Sequence, residues 1–146
     1  PEYSSFEIIG KNILGFHRLA IVDITPKSNQ PFLFINSDKY KNSDKYKNSD
    51  EYKDSDEYKD SDESYFYLIC NGEIYNQEKI VKEHQLHPTT DSDCEIIGLL
   101  YQKYSGDLSR ICKILSNEGS EYAFIIFEVL KDEKNKEQYI FSFARD

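Results

Sequence analysis

The stretch Tyr65-Phe66-Tyr67-Leu68-Ile69-Cys70-Asn71-Gly72-Glu73-Ile74-Tyr75-Asn76 decides how this chain folds. Residues 65–70 are an unbroken apolar and aromatic run of strand length, which reads as a buried strand. Asn-Gly is the commonest dipeptide of a tight hairpin, so Asn71-Gly72 reads most simply as a turn. The same two residues also read as a strand end that aims an amide and a glycine N–H at a ligand. From Asn76 the pattern turns helical. Asn76 is a candidate N-cap, and Ile80 and Val81 are apolar positions of a short helix reaching about His84.

Working outward, residues 6–9 and 13–24 are rich in Ile, Leu, Val and Phe, and Gly10-Lys11-Asn12 between them reads as a hairpin turn. Thr25-Pro26 then breaks the second strand. Downstream, residues 92–104 carry the clearest helical pattern: Ile96, Leu100 and Tyr104 share a face, with Ile97 beside them. Ser92 is a candidate N-cap, with Glu95 completing a capping box, and Gly106 a candidate stop. Residues 108–115 read as another short helix. Residues 122–130 and 138–144 read as two strands joined by a polar hairpin loop. Strands, then helices, then strands imply an α+β fold with an antiparallel sheet.

An internal repeat interrupts this order. From Ser37 the chain reads SDKYKN twice, SDEYKD twice, then SDES. A period of six matches neither a strand nor a helix. Tyr40, Tyr46, Tyr52 and Tyr58 each sit among charges. Composition implies a solvated, disordered insertion over 37–64. The alternative is an acidic tract whose tyrosines bind a basic partner or are modified. The insertion falls between Phe34 and Tyr65, where a hairpin connection is expected.

The chain has 146 residues, enough for one domain, with 38% hydrophobic and 31% charged residues. Its net charge of −9 and lack of a basic patch argue against a nucleic-acid partner. No run is long and apolar enough to span a membrane, and no signal-peptide pattern opens the chain. Cys70, Cys94 and Cys112 suggest neither a disulfide framework nor a zinc site, so a reducing, cytoplasmic setting is expected. The chain contains no methionine, opens on Pro1 and stops in the apolar segment F-S-F-A-R-D. It therefore reads as an internal fragment.

Taken singly, the polar residues say little. His17, His84 and His87 are scattered without metal-ligand spacing, and no metal is expected. The three cysteines read as inert core residues. Arg18, beside apolar residues in a strand, needs an anion or an edge position. Asp91 and Asp93 flank Ser92 at a helix start, where the helix dipole favours them.

Their order says more. Arg18-Leu19-Ala20-Ile21-Val22-Asp23, Asn29-Gln30-Pro31, Asn71-Gly72-Glu73-Ile74-Tyr75-Asn76, Ser92-Asp93-Cys94-Glu95 and Ala144-Arg145-Asp146 form a series. The series resembles the glutaminase domain of asparagine synthetases, class II glutamine amidotransferases of the N-terminal-nucleophile hydrolase superfamily. The resemblance covers nearly the whole chain apart from the repeat, making residues 1–146 a partial amidotransferase domain. It implies a four-layer α/β/β/α sandwich of antiparallel sheets, incomplete at the N-terminus.

The resemblance also implies roles. Arg18 would grip the α-carboxylate of glutamine through paired charge-assisted hydrogen bonds. Leu19, Ile21 and Val22 would line the pocket, the latter two through backbone contacts. The Asn71 side chain and Gly72 N–H would form an oxyanion hole. Glu73 would contact the substrate, and Asp93 would take the α-ammonium. The nucleophile implied is a cysteine at the mature N-terminus, whose own amine is the general base. Proline stands at position 1, and none of the three cysteines matches that nucleophile; Cys94 matches the cysteine of S-D-C-E. The chain as given is expected to be inactive. In the intact protein, glutamine would yield ammonia for ATP-dependent amidation of aspartate. ATP and magnesium would belong to a synthetase domain outside this chain, and a homodimer is open. Two alternatives stand beside this. One is a degenerate, non-catalytic binding module. The other is a glutaminase domain serving another amide- or lactam-forming synthetase.

Overall fold

The computed structural model describes residues 3–18, 23–36, 64–117, 119–132 and 135–146. Residues 37–63 of the repeat insertion and Leu19, Ile21 and Val22 lie outside the described residues; Ser64, expected as the end of the insertion, is instead the first residue of a strand, paired with Asn36. Strands β1 (Tyr3–Ile9) and β2 (Asn12–Arg18) form an antiparallel hairpin around Gly10, whose φ of 59° is the left-handed conformation that the turn requires. Strand β2 is described as far as Arg18, and Asp23 and Ile24 are not in a strand, so the strand expected through residue 24 does not reach that far.

A second sheet has the order β3-β4-β5-β6, all antiparallel, from β3 (Phe32–Asn36), β4 (Ser64–Glu73), β5 (Glu121–Lys131) and β6 (Glu137–Arg145). Asn36 pairs with Ser64, so the insertion leaves and rejoins the sheet at one hairpin end, as expected. Between β4 and β5 lie α1 (Gln77–Glu83), α2 (Glu95–Lys103) and α3 (Leu108–Asn117).

Period-two alternation gives the sheet two apolar faces. Phe32, Phe34, Phe66, Leu68, Cys70, Phe124 and Ile126 meet Ile80, Ile96, Ile97, Leu100, Ile111 and Leu115 of the helices. Each such fully buried aliphatic side chain contributes about 1.5–3 kcal/mol. Helix α2 lies directly on Phe34: a Cβ at Gly98 would come within 2.2 Å of that ring. On the other face, Tyr65, Tyr67, Phe127 and Val129 pack against Ile9 and Leu14 of the hairpin. The fold is therefore α+β with two antiparallel sheets, layered α/β/β among the described residues. The outer hairpin face exposes Phe6, Ile8 and Ile13, and among the described residues no fourth layer covers it.

The expected capping box does not form. Helix α2 begins at Glu95, and Ser92 makes no side-chain cap. Glu95 instead accepts the N–H and hydroxyl groups of both Thr89 and Thr90, folding that loop onto the helix start. Asn76 does precede α1, but with φ of 54° and no side-chain cap bond. Gly106, with φ of 79°, closes α2 by donating to Tyr101 O at 3.0 Å, the stop that the sequence implies.

Candidate functional site at the open end of strand β4

Strand β4 outruns β3. The β3 ladder ends at Phe32 opposite Leu68, while β5 continues beside β4 to Glu121 opposite Glu73. Asn71-Gly72 is thus part of a paired strand, and the turn reading fails. Among the described residues, no strand lies beside the far edge of Ile69–Glu73.

Backbone alternation fixes what that edge presents. In an antiparallel ladder a residue points its N–H and C=O to one side, and its neighbours point theirs to the other. Tyr122 uses both groups toward Asp146: Asp146 N–H donates to Tyr122 O at 3.1 Å, and Tyr122 N–H donates to Asp146 Oδ1 at 3.3 Å. Gly72 stands opposite Tyr122, so its own groups face away from β5, onto the open edge. Neighbouring contacts agree. Cys70 N–H donates to Gln30 Oε1 at 2.6 Å, Ile74 N–H donates to Asp93 Oδ2 at 2.6 Å, and Cys94 Sγ lies 3.8 Å from Gly72 O. Of three N–H groups in a row, the outer two are capped by side chains. Among the described residues, none accepts the N–H of Gly72.

Glycine is required at 72 by close packing. A Cβ there would lie 2.3 Å from Glu121 O and 2.6 Å from Tyr122 Cα, both backbone atoms of β5. Asn71, on the opposite face, is exposed.

The other motif segments are tied to the same edge. Arg18 ends β2 and donates Nη1 to Thr25 O at 3.0 Å and to Asn29 Oδ1 at 2.8 Å. Both acceptors are neutral, and no described carboxylate pairs with this guanidinium. Gln30, next to Asn29, caps Cys70 and also accepts the Ser5 hydroxyl through its backbone oxygen. Asp23 accepts the N–H groups of Thr25 and Asp91 and the Ser28 hydroxyl. Asp93 is buried at 8% exposure, and its Oδ2 accepts the Ile74 N–H, as a buried carboxylate requires a partner. The structure thus brings Arg18, Asn71, Gly72, Glu73 and Asp93 onto segments joined by direct hydrogen bonds.

Glu73 faces Glu121 across the β4–β5 ladder. Like charges directly opposite destabilise a sheet. Their field, Glu73 first, also pushes the Tyr75 hydroxyl above its ordinary range. Cys94 is buried, and its thiol is pushed far up, first by its hydrogen bond with Cys70, then by burial, with Asp93 adding to both. It is a neutral thiol, not a poised nucleophile.

An open cleft of about 290 Å³ is lined by Asn71, Gly72, Glu121, Tyr122, Ala123, Arg145 and Asp146, on the β5 side of Gly72 and not at the open edge that its N–H faces. Asn71, Ala123 and Arg145 share one cross-strand row, so the small side chain of Ala123 leaves a slot between an amide and a guanidinium. Sequence reasoning gave Gln30, Asp23 and Arg145 no role. The signal was their place in N-Q-P, R-L-A-I-V-D and A-R-D.

Chemically, an unpaired backbone N–H beside an amide can hold a carbonyl oxygen as charge develops on it. Two stacked antiparallel sheets with three helices on one side define the class as an α+β domain. The glutamine amidotransferase domain family matches residues 49–146, and the chain belongs to that family. It is 27% identical over 132 residues to a probable asparagine synthetase [glutamine-hydrolyzing] of Acanthamoeba polyphaga mimivirus, covering 88% of this chain and 18% of the relative. It is 32% identical over 108 residues to asparagine synthetase [glutamine-hydrolyzing] 1 of Arabidopsis thaliana, covering 73% and 14%. A Brassica oleracea asparagine synthetase [glutamine-hydrolyzing] is 32% identical over 107 residues, covering 71% and 13%. The chain therefore spans less than a fifth of the length of these relatives. No solved structure matches it.

Proposed function

We propose that this domain binds glutamine and, in the intact protein, releases its amide nitrogen as ammonia for the amidation of aspartate to asparagine. The observation that carries the reading is the open Gly72 N–H between two capped neighbours, with Arg18 and Asp93 on segments bonded to the same strand. Arg18 takes the α-carboxylate and Asp93 the α-ammonium. Glu73, with Glu121 opposite, adds negative charge near the amine. The like-charge pair, unfavourable in the empty domain, is relieved by a bound cation. Asn71 and Gly72 N–H hold the amide oxygen as a nucleophile adds to the amide carbon. Removing one such donor costs about 3–4 kcal/mol of transition-state stabilisation. Leu19, Ile21 and Val22 belong to the pocket wall in this reading. The synthetase step is a ligase reaction using ATP and magnesium on a separate domain, in the cytoplasm.

Calorimetric titration of the chain with L-glutamine tests the binding. Saturable binding that is lost in Arg18→Ala supports it, and no binding by the folded chain counts against it. Glutamine-dependent asparagine formation by the intact gene product, with ATP and aspartate, tests the reaction. A second reading is a module that binds glutamine without hydrolysing it. Glutamine binding with no ammonia release by the intact product would select that reading. Ammonia release without asparagine would point to a different acceptor.

A further inference from the structure

Asp23 is a buried carboxylate, 7% exposed, that the glutamine reading leaves without a role. Its Oδ1 accepts the Thr25 N–H at 2.7 Å, and its Oδ2 accepts the Ser28 hydroxyl and, at 3.1 Å, the Asp91 N–H. Thr25 and Ser28 belong to the short turn after Asp23. Asp91 lies 68 residues further along, in the loop before α2. Burial by itself would raise the pKa of this carboxyl. The hydrogen bonds from Ser28, Thr25 and Asp91 outweigh burial and hold it well below the usual carboxylate range.

Each segment that Asp23 joins carries, or holds by hydrogen bonds, one of the charged groups assigned to the amino acid. The turn holds the Arg18 guanidinium through Thr25 O and Asn29 Oδ1. The loop carries Asp93, anchored on Ile74 N–H. The α-carboxylate and α-ammonium of an amino acid sit on one carbon, so both ends must be placed together to grip it. We infer that Asp23 is a positioning residue that fixes the placement of Arg18 relative to Asp93, giving the site its demand for both charged groups on one carbon. This inference rests on the glutamine reading for the roles of those two residues. The tie between the segments stands on the hydrogen bonds alone.

Two measurements on the full chain separate the parts. In Asp23→Asn, amide hydrogen exchange at Ile74 should speed up about tenfold or more relative to Leu68 in the same strand, because the loop holding Asp93 is released. L-glutamine should bind about tenfold or more weakly. Glutaramate, which lacks the ammonium, and γ-aminobutyramide, which lacks the carboxylate, should each change less than about threefold, since neither needs both ends at once. Ser28→Ala, which removes one donor only, should move the same readouts in the same direction by less, and it decides the matter should Asp23→Asn not fold. Exchange at Ile74 that follows Leu68, or equal weakening of all three ligands, overturns the inference. Faster exchange at Ile74 in Asp23→Asn, together with a wild-type chain that takes no glutamine, refutes the glutamine reading and leaves the positioning tie supported.

Discussion

The side-chain oxygen of Gln30 accepts the backbone N–H of Cys70 at 2.6 Å, just where strand β3 ends and can no longer serve β4. Gln30 is buried, and so is Cys70. Gln30→Ala leaves a buried donor unsatisfied next to Asn71. It should cost about 1–3 kcal/mol of stability in a urea titration. It should also weaken glutamine binding, because the strand carrying Asn71 and Gly72 loses its anchor. An unchanged midpoint would mean that water replaces the amide oxygen.

Gly72→Ala should be worse. The added methyl would sit 2.3 Å from Glu121 O and 2.6 Å from Tyr122 Cα. Neither is a flexible side-chain tip, so β4 and β5 must part. Overpacking of this kind costs about 1–3 kcal/mol. Because the displaced backbone carries the open N–H, glutamine affinity should fall further than stability alone predicts. Gly119→Ala is the matched control: its φ is 72°, but among the described residues beyond its chain neighbours no atom lies within 4 Å of the added Cβ. It should cost stability through backbone strain and leave binding intact.

How much of this was legible from sequence follows from which interactions are local. The apolar runs announced β4, β5 and β6, and the period of Ile96, Ile97 and Leu100 announced α2, because both patterns record burial directly. The order of short motifs singled out the candidate site residues. Three things were not legible. Asn71-Gly72 looks like a turn to any local rule; only β5 passing within contact of Gly72 shows why glycine is there. Glu95 satisfied the spacing of a capping box, but the threonine pair at Thr89 and Thr90 offers four donors and wins it. The caps of Gln30 on Cys70 and Asp93 on Ile74 join residues 40 and 19 apart. No window of sequence contains the first, and nothing in the second marks the acceptor.

The hairpin between β3 and β4 should tolerate radical shortening. Asn36 and Ser64 are direct cross-strand partners, so residues 37–63 can be replaced by Asn-Gly without moving either strand. Loop closure entropy changes by only about 0.6 kcal/mol per doubling of length, and shortening works in favour of the fold. The variant should melt cooperatively at an equal or higher temperature and keep wild-type glutamine affinity. Loss of a cooperative transition would show that the insertion contributes to the core.

The depressed pKa of Asp23 makes an acid-range prediction. Its folded value lies below its unfolded value of about 3.9. The unfolded state therefore binds more protons, and the stability Asp23 contributes is fully present above about pH 4. It is lost as pH falls toward the lower native value. Asp23→Asn has no such proton to take up. Wild type should lose stability more steeply than the variant as pH falls from about 5 to about 2, and the two slopes should agree near neutrality. Parallel curves throughout, read by urea midpoints, would place the acid sensitivity on other carboxylates.

Cys94 offers the sharpest test of where the nucleophile is not. Its thiol lies 3.8 Å from Gly72 O, close enough to the open N–H to invite a catalytic role. Yet it is buried, engaged with Cys70 and held in the protonated form. A protonated thiol facing a carbonyl oxygen cannot attack an amide held by the neighbouring N–H. Iodoacetamide should therefore modify only the partly buried Cys112 in the folded chain, and all three free cysteines once it is unfolded. Cys94→Ala should cost about 1–2 kcal/mol through the lost core contact. In the intact gene product the same substitution should leave ammonia release from glutamine within about threefold of wild type, whereas Asn71→Ala should lower it about a hundredfold. Abolished release in a folded Cys94→Ala protein would reverse the assignment and make Cys94 the attacking group.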